Sequence, residues 1–139
     1  MTIIHGAIHL STAGECDVHD VTDQVEVQVE SSSVGTGLVT VSVAGSTAAV
    51  TTCEYEPGMV RDLKSIFEQL VPRDRQWAHN LTWDDANGHS HLRASLVGPS
   101  LSLPIIGGRI RRGTWQQIVL IDFDNRPRER TVDVTIIGE

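Results

Sequence analysis

Lysine is almost absent from this chain: ten of its eleven basic residues are arginines, and Lys64 stands alone. Schiff-base and phosphate-loop lysine chemistry would both rest on that one residue, so the sequence argues against both. Cysteine is nearly as scarce. Cys16 and Cys53 lie far apart without a CxxC, which excludes a disulfide framework and a zinc knuckle and leaves two reduced thiols as the expectation. Residues 1–60 carry eight acids and no Lys or Arg, whereas residues 61–139 carry ten acids against all eleven bases. With a net charge of −7 the chain is a poor general nucleic-acid binder. No apolar run approaches the roughly 20 residues of a membrane span. The opening MTIIHGAIHL has no basic lead-in of the kind a secretory leader shows, so a cytoplasmic protein without a membrane partner is expected. GxSxG, GxxxxGK[ST] and GxGxxG are missing too, which removes the sequence support for hydrolases with a nucleophile elbow, P-loop NTPases and Rossmann dehydrogenases.

What remains is 139 residues, 40% hydrophobic and 21% charged, the size and composition of a single domain spanning 1–139. Valine is abundant, and alternation predicts strands over Ile3 to Leu10, Leu38 to Val43, Ser46 to Thr52, Leu101 to Ile106, Gln116 to Phe123 and Arg130 to Ile137. Val25, Val27 and Val29 alternate with polar and acidic residues as a half-buried strand would. Thr22-Asp23 also resembles a helix start, but the periodicity favours strand for this stretch. His89 to Leu96 reads as a further strand. Pro57, followed by Met59, Val60, Leu63, Ile66, Phe67 and Leu70 at three- and four-residue steps, predicts an amphipathic helix over 57–70, ended by Pro72. Residues 73–88 read as a packed loop whose Trp77 and Trp83 need burial. The fold class expected is α+β: mainly an antiparallel sheet or sandwich with one or two helices, in one domain.

Candidate chemistry concentrates in the histidines. On a strand, His89 and His91 project to one face, a compact way to offer two imidazoles to a metal, with His79 and Asn87 close in sequence. Core histidines bonded to backbone carbonyls show the same spacing. Glu54, at a strand end beside Cys53, could act as general base, metal ligand or partner fixing a His tautomer. Glu56 and Asp62 stand where acids simply complement a helix start, and Asp62 could as easily belong to a site. Arg128 and Arg130 share a strand face, and Arg109, Arg111, Arg112 and Arg126 add guanidinium forks suited to phosphate, although edge strands also carry Arg against aggregation.

The run Ser100 to Ile118, SLSLPIIGGRIRRGTWQQI, resembles the signature of the YjbQ (UPF0047) family. Around it the resemblance extends to STAAV at 46–50, Glu54, PGMVRDL at 57–63, His79, NGHSHLRASLVG at 87–98 and FDNRPRERTVDV at the end, essentially the whole chain. It implies a compact, mostly β homotrimer with a weak thiamine-phosphate synthase activity, in which a pyrimidine methyl diphosphate joins a thiazole phosphate and pyrophosphate departs. The recurrent polar residues fall on Glu54, Asp62, His79, His91, Trp115, Gln116, Arg128 and Arg130. Many members carry His where this chain has Gly45, and Asn where it has Cys53. His89 falls on a variable position, which shifts weight to His79 with His91.

Two classes of function follow. As an enzyme, Glu54, His79, His91 and Gln116 would be catalytic, while Arg128, Arg130, Trp115 and Asn87 bind a small phosphorylated metabolite. His79 and His91 would be the ligands if a divalent ion, Mg²⁺ or Zn²⁺, takes part, and positive charge would draw off the diphosphate. Metal-assisted hydrolysis or transfer on another phosphorylated metabolite is a second enzymatic reading. As a non-catalytic trimeric binding protein of metal or metabolite, the chain would use the His, Trp and Gln cluster structurally, with Gln116 satisfying the Trp115 N–H.

Overall fold

The computed structural model describes all 139 residues, which form twelve elements: β1 (Thr2–Thr12), β2 (Asp17–Asp20), α1 (Thr22–Ser32), β3 (Thr36–Val43), β4 (Ala48–Cys53), α2 (Pro57–Leu70), α3 (Ala78–Trp83), α4 (Gly88–Val97), β5 (Ser100–Ile106), β6 (Arg109–Ile110), β7 (Gln117–Asp122) and β8 (Arg128–Gly138). Strand pairing is antiparallel throughout. A five-stranded sheet runs β1-β8-β3-β5-β6, and a three-stranded sheet runs β2-β7-β4.

Alternation along the strands builds the layers. Val39, Val41 and Val43 of β3 and Val132, Val134 and Ile136 of β8 turn inward to meet Val50 of β4 and Ile118 and Leu120 of β7. The odd positions of β7, Val119 and Ile121, with Phe123 just beyond it, point the other way into a second core that Phe67 of α2 and Ala94 of α4 close. Strand β7 is therefore buried on both faces, as its unbroken apolar run Ile118 to Ile121 requires. Phe67 and Phe123 meet edge to face at 4.8 Å.

The α+β class and the helix at 57–70 match the sequence expectation, but there are four helices where one or two were expected. The valine-rich stretch expected as a strand is α1. Val21, Val25 and Val29 are at most 1% exposed whereas Val27 is 60% exposed, a four-residue repeat that only a helix satisfies. The stretch His89 to Leu96 is likewise helical, in α4, with Ser90, Arg93 and Ala94 buried at helical steps. Residues 73–88, expected as loop, contain the short α3. Of its two tryptophans, Trp77 is half-buried and donates to the Pro72 carbonyl at 2.8 Å, while Trp83 lies on the surface. Gly88 opens α4 against Trp77 and Asn80: a Cβ there would lie 2.8 Å from the Trp77 Cβ, which is why the position is a glycine.

Both cysteines are free, with Cys16 buried. Burial pushes the Cys16 thiol up to about 11. No helix is long and apolar enough to cross a membrane.

Candidate functional site

Period-two alternation carries β7 past its apolar residues to Asp122, on the same face as Ile118 and Leu120 and so between the two sheets. Strand β8 brings Arg130 to the same level. The pair is bidentate: Arg130 Nε donates to Asp122 Oδ2 at 2.7 Å and Nη2 to Oδ1 at 2.9 Å. Thr12 of β1 donates to Asp122 Oδ2 at 2.5 Å, and the Asp124 N–H donates to Oδ1 at 3.0 Å. Burial works to raise the Asp122 carboxyl, but these bonds, led by that of Arg130, outweigh it and hold the group below the usual carboxylate range.

Two residues on, Asp124 is similarly sunk and similarly served. Thr47 Oγ1 donates to its Oδ2 at 2.9 Å and Arg128 Nε at 3.1 Å, with Asn87 Nδ2 at 3.4 Å. Burial again opposes ionisation, and the Thr47 and Arg128 interactions again prevail, so Asp124 is also held low. Asn87 Oδ1 in turn accepts from the Asn125 N–H at 3.1 Å, tying the start of α4 to the β7–β8 turn.

These carboxylates occupy only one edge of each guanidinium. Arg130 Nη1 and both Nη atoms of Arg128 make no hydrogen bond within the chain. Both arginines line a polar depression of about 540 Å³ whose wall also includes Ser46, Thr47, Asn87, His91 and Arg126, with no hydrophobic residue in it. Gly45 lets the depression reach Arg130: a Cβ at that position would stand 2.9 Å from Arg130 Nη1.

His91 reaches this wall from α4 and lies against His79 of α3, ring centroids 4.3 Å apart with planes tilted by 39°. Asp85 Oδ1 approaches His79 Nδ1 at 3.6 Å. Burial, and then the neighbouring His79, push the His91 imidazole below its ordinary value against the pull of Asp85 and Asp124, which keeps it neutral at physiological pH. No group of three or more His, Cys, Asp or Glu is arranged to hold a metal ion. The residues present do not fit a closed Mg²⁺ or Zn²⁺ centre.

The helical form of α4 separates the two histidines expected on one face. Residues two apart on a helix diverge by about 200°, so His89 enters the interior, 0% exposed, while His91 faces the depression. The remaining expected site residues lie elsewhere. Glu54, exposed, follows β4 at the end opposite Thr47, roughly 20 Å away at about 3.3 Å per strand residue. Gln116 sits at that far end, its Nε2 donating to Thr52 Oγ1 at 3.3 Å, next to Trp115, which is 71% exposed. Within one chain, then, His79, His91, Asn87, Arg128 and Arg130 gather at one end of the three-stranded sheet, and Glu54, Trp115 and Gln116 at the other. Asp62 is on the exposed face of α2, and Glu56 caps that helix by accepting from the Gly58 and Met59 N–H groups.

Sequence reasoning passed over Asp122, Asp124 and Thr47. The signal was present: Asp122 and Asp124 are spaced by two at the end of an apolar strand, mirroring Arg128 and Arg130.

A family model described as "UPF0047 protein YjbQ-like" matches residues 6–139. UPF0047 proteins of Methanothermobacter thermautotrophicus and Archaeoglobus fulgidus are 34% and 39% identical, over 100% and 90% of this chain and 95% and 94% of theirs. Among solved structures, a YbjQ-like protein of unknown function from Sulfolobus solfataricus superposes with TM-score 0.93 at 38% identity, covering 99% of both chains. A hypothetical protein from Aeropyrum pernix gives 0.91 at 36%, over 98% of this chain and 99% of that one.

Proposed function

The chain belongs to the YjbQ (UPF0047) family, and on that premise we propose that it binds a small phosphorylated metabolite in the arginine-lined depression and catalyses thiamine-phosphate formation at a low rate. The observation that carries this reading is the pair of guanidiniums, each anchored by a buried aspartate, with both Nη atoms of Arg128 and Nη1 of Arg130 left without a partner in the chain, although Arg130 Nη2 also donates to Thr47 Oγ1 at 2.7 Å. Anchoring fixes the free N–H groups before ligand arrives, so little side-chain entropy is lost on binding. In the reaction the C–O bond to the diphosphate breaks and the thiazole nitrogen supplies the electron pair for the new C–N bond. Pyrophosphate leaves with the bonding pair of the C–O bond, onto Arg128, Arg130 and Arg126. Neutral His91 and the Asn87 amide supply hydrogen bonds at the rim. The functional unit in this reading is a homotrimer.

A non-catalytic reading has one specific observation in its favour: Asp122, Asp124, Thr12 and Thr47 form a buried network that joins β1, β7 and β8 whatever the depression binds. Calorimetric titration with pyrophosphate, and condensation assays on wild type, Arg128→Gln and His91→Ala, separate the two. Saturable pyrophosphate binding lost in Arg128→Gln supports the anion site, and condensation lost with it supports the enzyme. Wild type that binds no pyrophosphate would sink both the site and the reaction.

A further inference from the structure

The depression holds hydrogen-bonding capacity of a kind that a bare anion leaves unused. Its free donors are the unclaimed guanidinium nitrogens of Arg128 and Arg130 and the whole side chain of Arg126, which makes no hydrogen bond or ion pair within the chain. Beside them, in the same wall, stand acceptors with nothing to accept. Asp85 Oδ1 takes the Asn87 N–H at 3.2 Å and lies 3.6 Å from His79 Nδ1, but Oδ2 has no partner in the chain, and the side chain is 43% exposed. Asn125 is oriented by its Nδ2, which donates to the Asp85 carbonyl at 2.8 Å, so its Oδ1 is left free. The Ser46 hydroxyl and the His91 ring also make no hydrogen bond within the chain, and each can accept as well as donate.

Ionised phosphate and diphosphate present acceptor oxygens. They satisfy guanidiniums, but they cannot donate to Asp85 Oδ2 or Asn125 Oδ1, and any oxyanion set beside the Asp85 carboxylate is repelled by it. A ligand that answers both sets of groups is anionic in one part and carries neutral O–H donors in another. It is also polar throughout, because sites for ring-bearing molecules are built mainly from apolar and aromatic side chains and this wall has no hydrophobic residue.

We propose that the depression selects the phosphate monoester of a small polyol, a sugar phosphate in chemical class, with the phosphate on Arg126, Arg128 and Arg130 and the hydroxyl groups donating to Asp85 Oδ2, Asn125 Oδ1 and Ser46 Oγ. This selectivity rests on the anion site of the proposed function and adds what the rest of the ligand is. Thiamine-phosphate formation is then slow for a physical reason, since neither the pyrimidine nor the thiazole ring meets an apolar surface here.

The test is calorimetric titration of the full chain with ribose 5-phosphate and glycerol 3-phosphate. The comparison ligands are ethyl phosphate, an ester without hydroxyls, phosphoethanolamine, which offers an ammonium instead, and thiamine phosphate. At least one polyol ester is expected to bind about tenfold or more tighter than each of the three, the worth of one or two added hydrogen bonds. Any of the three matching both polyol esters overturns the proposal. Asp85→Ala is expected to cost the preferred ester about tenfold, whereas inorganic phosphate binds this variant as tightly as wild type or more tightly, because a repelling charge is gone. Ser46→Ala, which removes an exposed hydroxyl with no partner in the chain, is expected to cost the ester about fivefold and to leave inorganic phosphate unaffected. Equal losses for ester and inorganic phosphate in both variants would make these groups structural and overturn the assignment. Pyrophosphate bound with no preference among the esters removes this selectivity and leaves the proposed function standing; no binding of pyrophosphate or of any ester removes both.

Discussion

Arg130 and Asp122 meet edge to edge between the two sheets, 10% and 0% exposed, through two hydrogen bonds of 2.7 and 2.9 Å. The arginine serves two purposes at once. Its Nε and Nη2 neutralise a carboxylate that could not otherwise be buried, and its Nη1 is left to the depression. Removing either partner strands a charge in the interior, at a cost of about 3–5 kcal/mol. Arg130→Met and Asp122→Leu are each expected to lose that much in urea unfolding, while the double variant recovers most of it and binds no pyrophosphate. Single variants within 1 kcal/mol of wild type would contradict the pairing.

Arg128 is the less committed of the two, holding Asp124 by one bond at 3.1 Å while Thr47 and Asn87 also serve that carboxylate. Arg128→Gln should therefore separate binding from folding. Pyrophosphate affinity is expected to fall about tenfold or more, consistent with losing one charge-assisted contact worth about 1.5–3 kcal/mol, with a smaller loss of stability than Arg130→Met. Calorimetry alongside urea unfolding measures both, and the reverse ranking would show that Arg128 is structural.

Gly45 leaves room for the Arg130 guanidinium, which Asp122 prevents from retreating. A side chain at this position covers Nη1. Gly45→His is expected to reduce pyrophosphate affinity more than it reduces stability. An unaltered titration would mean that Nη1 takes no part in binding.

Acid sensitivity has an assignable origin. His89 is fully enclosed, its Nδ1 without a partner, and burial followed by the Arg93 charge pushes its imidazole below the ordinary 6.5, against the pull of Glu15 and Glu68. The unfolded chain then binds the proton more readily than the folded one, so stability rises with pH between the folded value and 6.5 and is lost as pH falls through that window. His91 adds to the same slope, whereas Asp122 and Asp124, also held low, lose their contribution only below their ordinary 3.8. His89→Gln is expected to flatten urea stability between pH 7 and pH 5 relative to wild type. An unchanged slope would place the acid sensitivity elsewhere.

Much of the site was legible as strand alternation. Arg128 and Arg130 do share a face, as their spacing predicts, and the same rule applied to Asp122 and Asp124 finds their partners. The rule failed where the period itself was ambiguous. Val25 and Val29 suit a strand and a helix equally, and only the exposure of Val27 decides between them. In 88–97 the same ambiguity sent His89 and His91 to opposite sides of α4.

What the sequence by itself determined was local: the helix begun at Pro57, the two-faced strand β7, the spacing of paired arginines and aspartates, and the signature segment that ties the chain to its family. These follow from backbone periods that act over a few residues. Only the tertiary structure decided which groups meet, because contacts such as Thr12 with Asp122, 110 residues apart, depend on how two sheets stack. It also put Glu54 and Trp115 at the far end of a strand from the histidines, since an extended chain carries residues only seven or eight apart across most of a small domain.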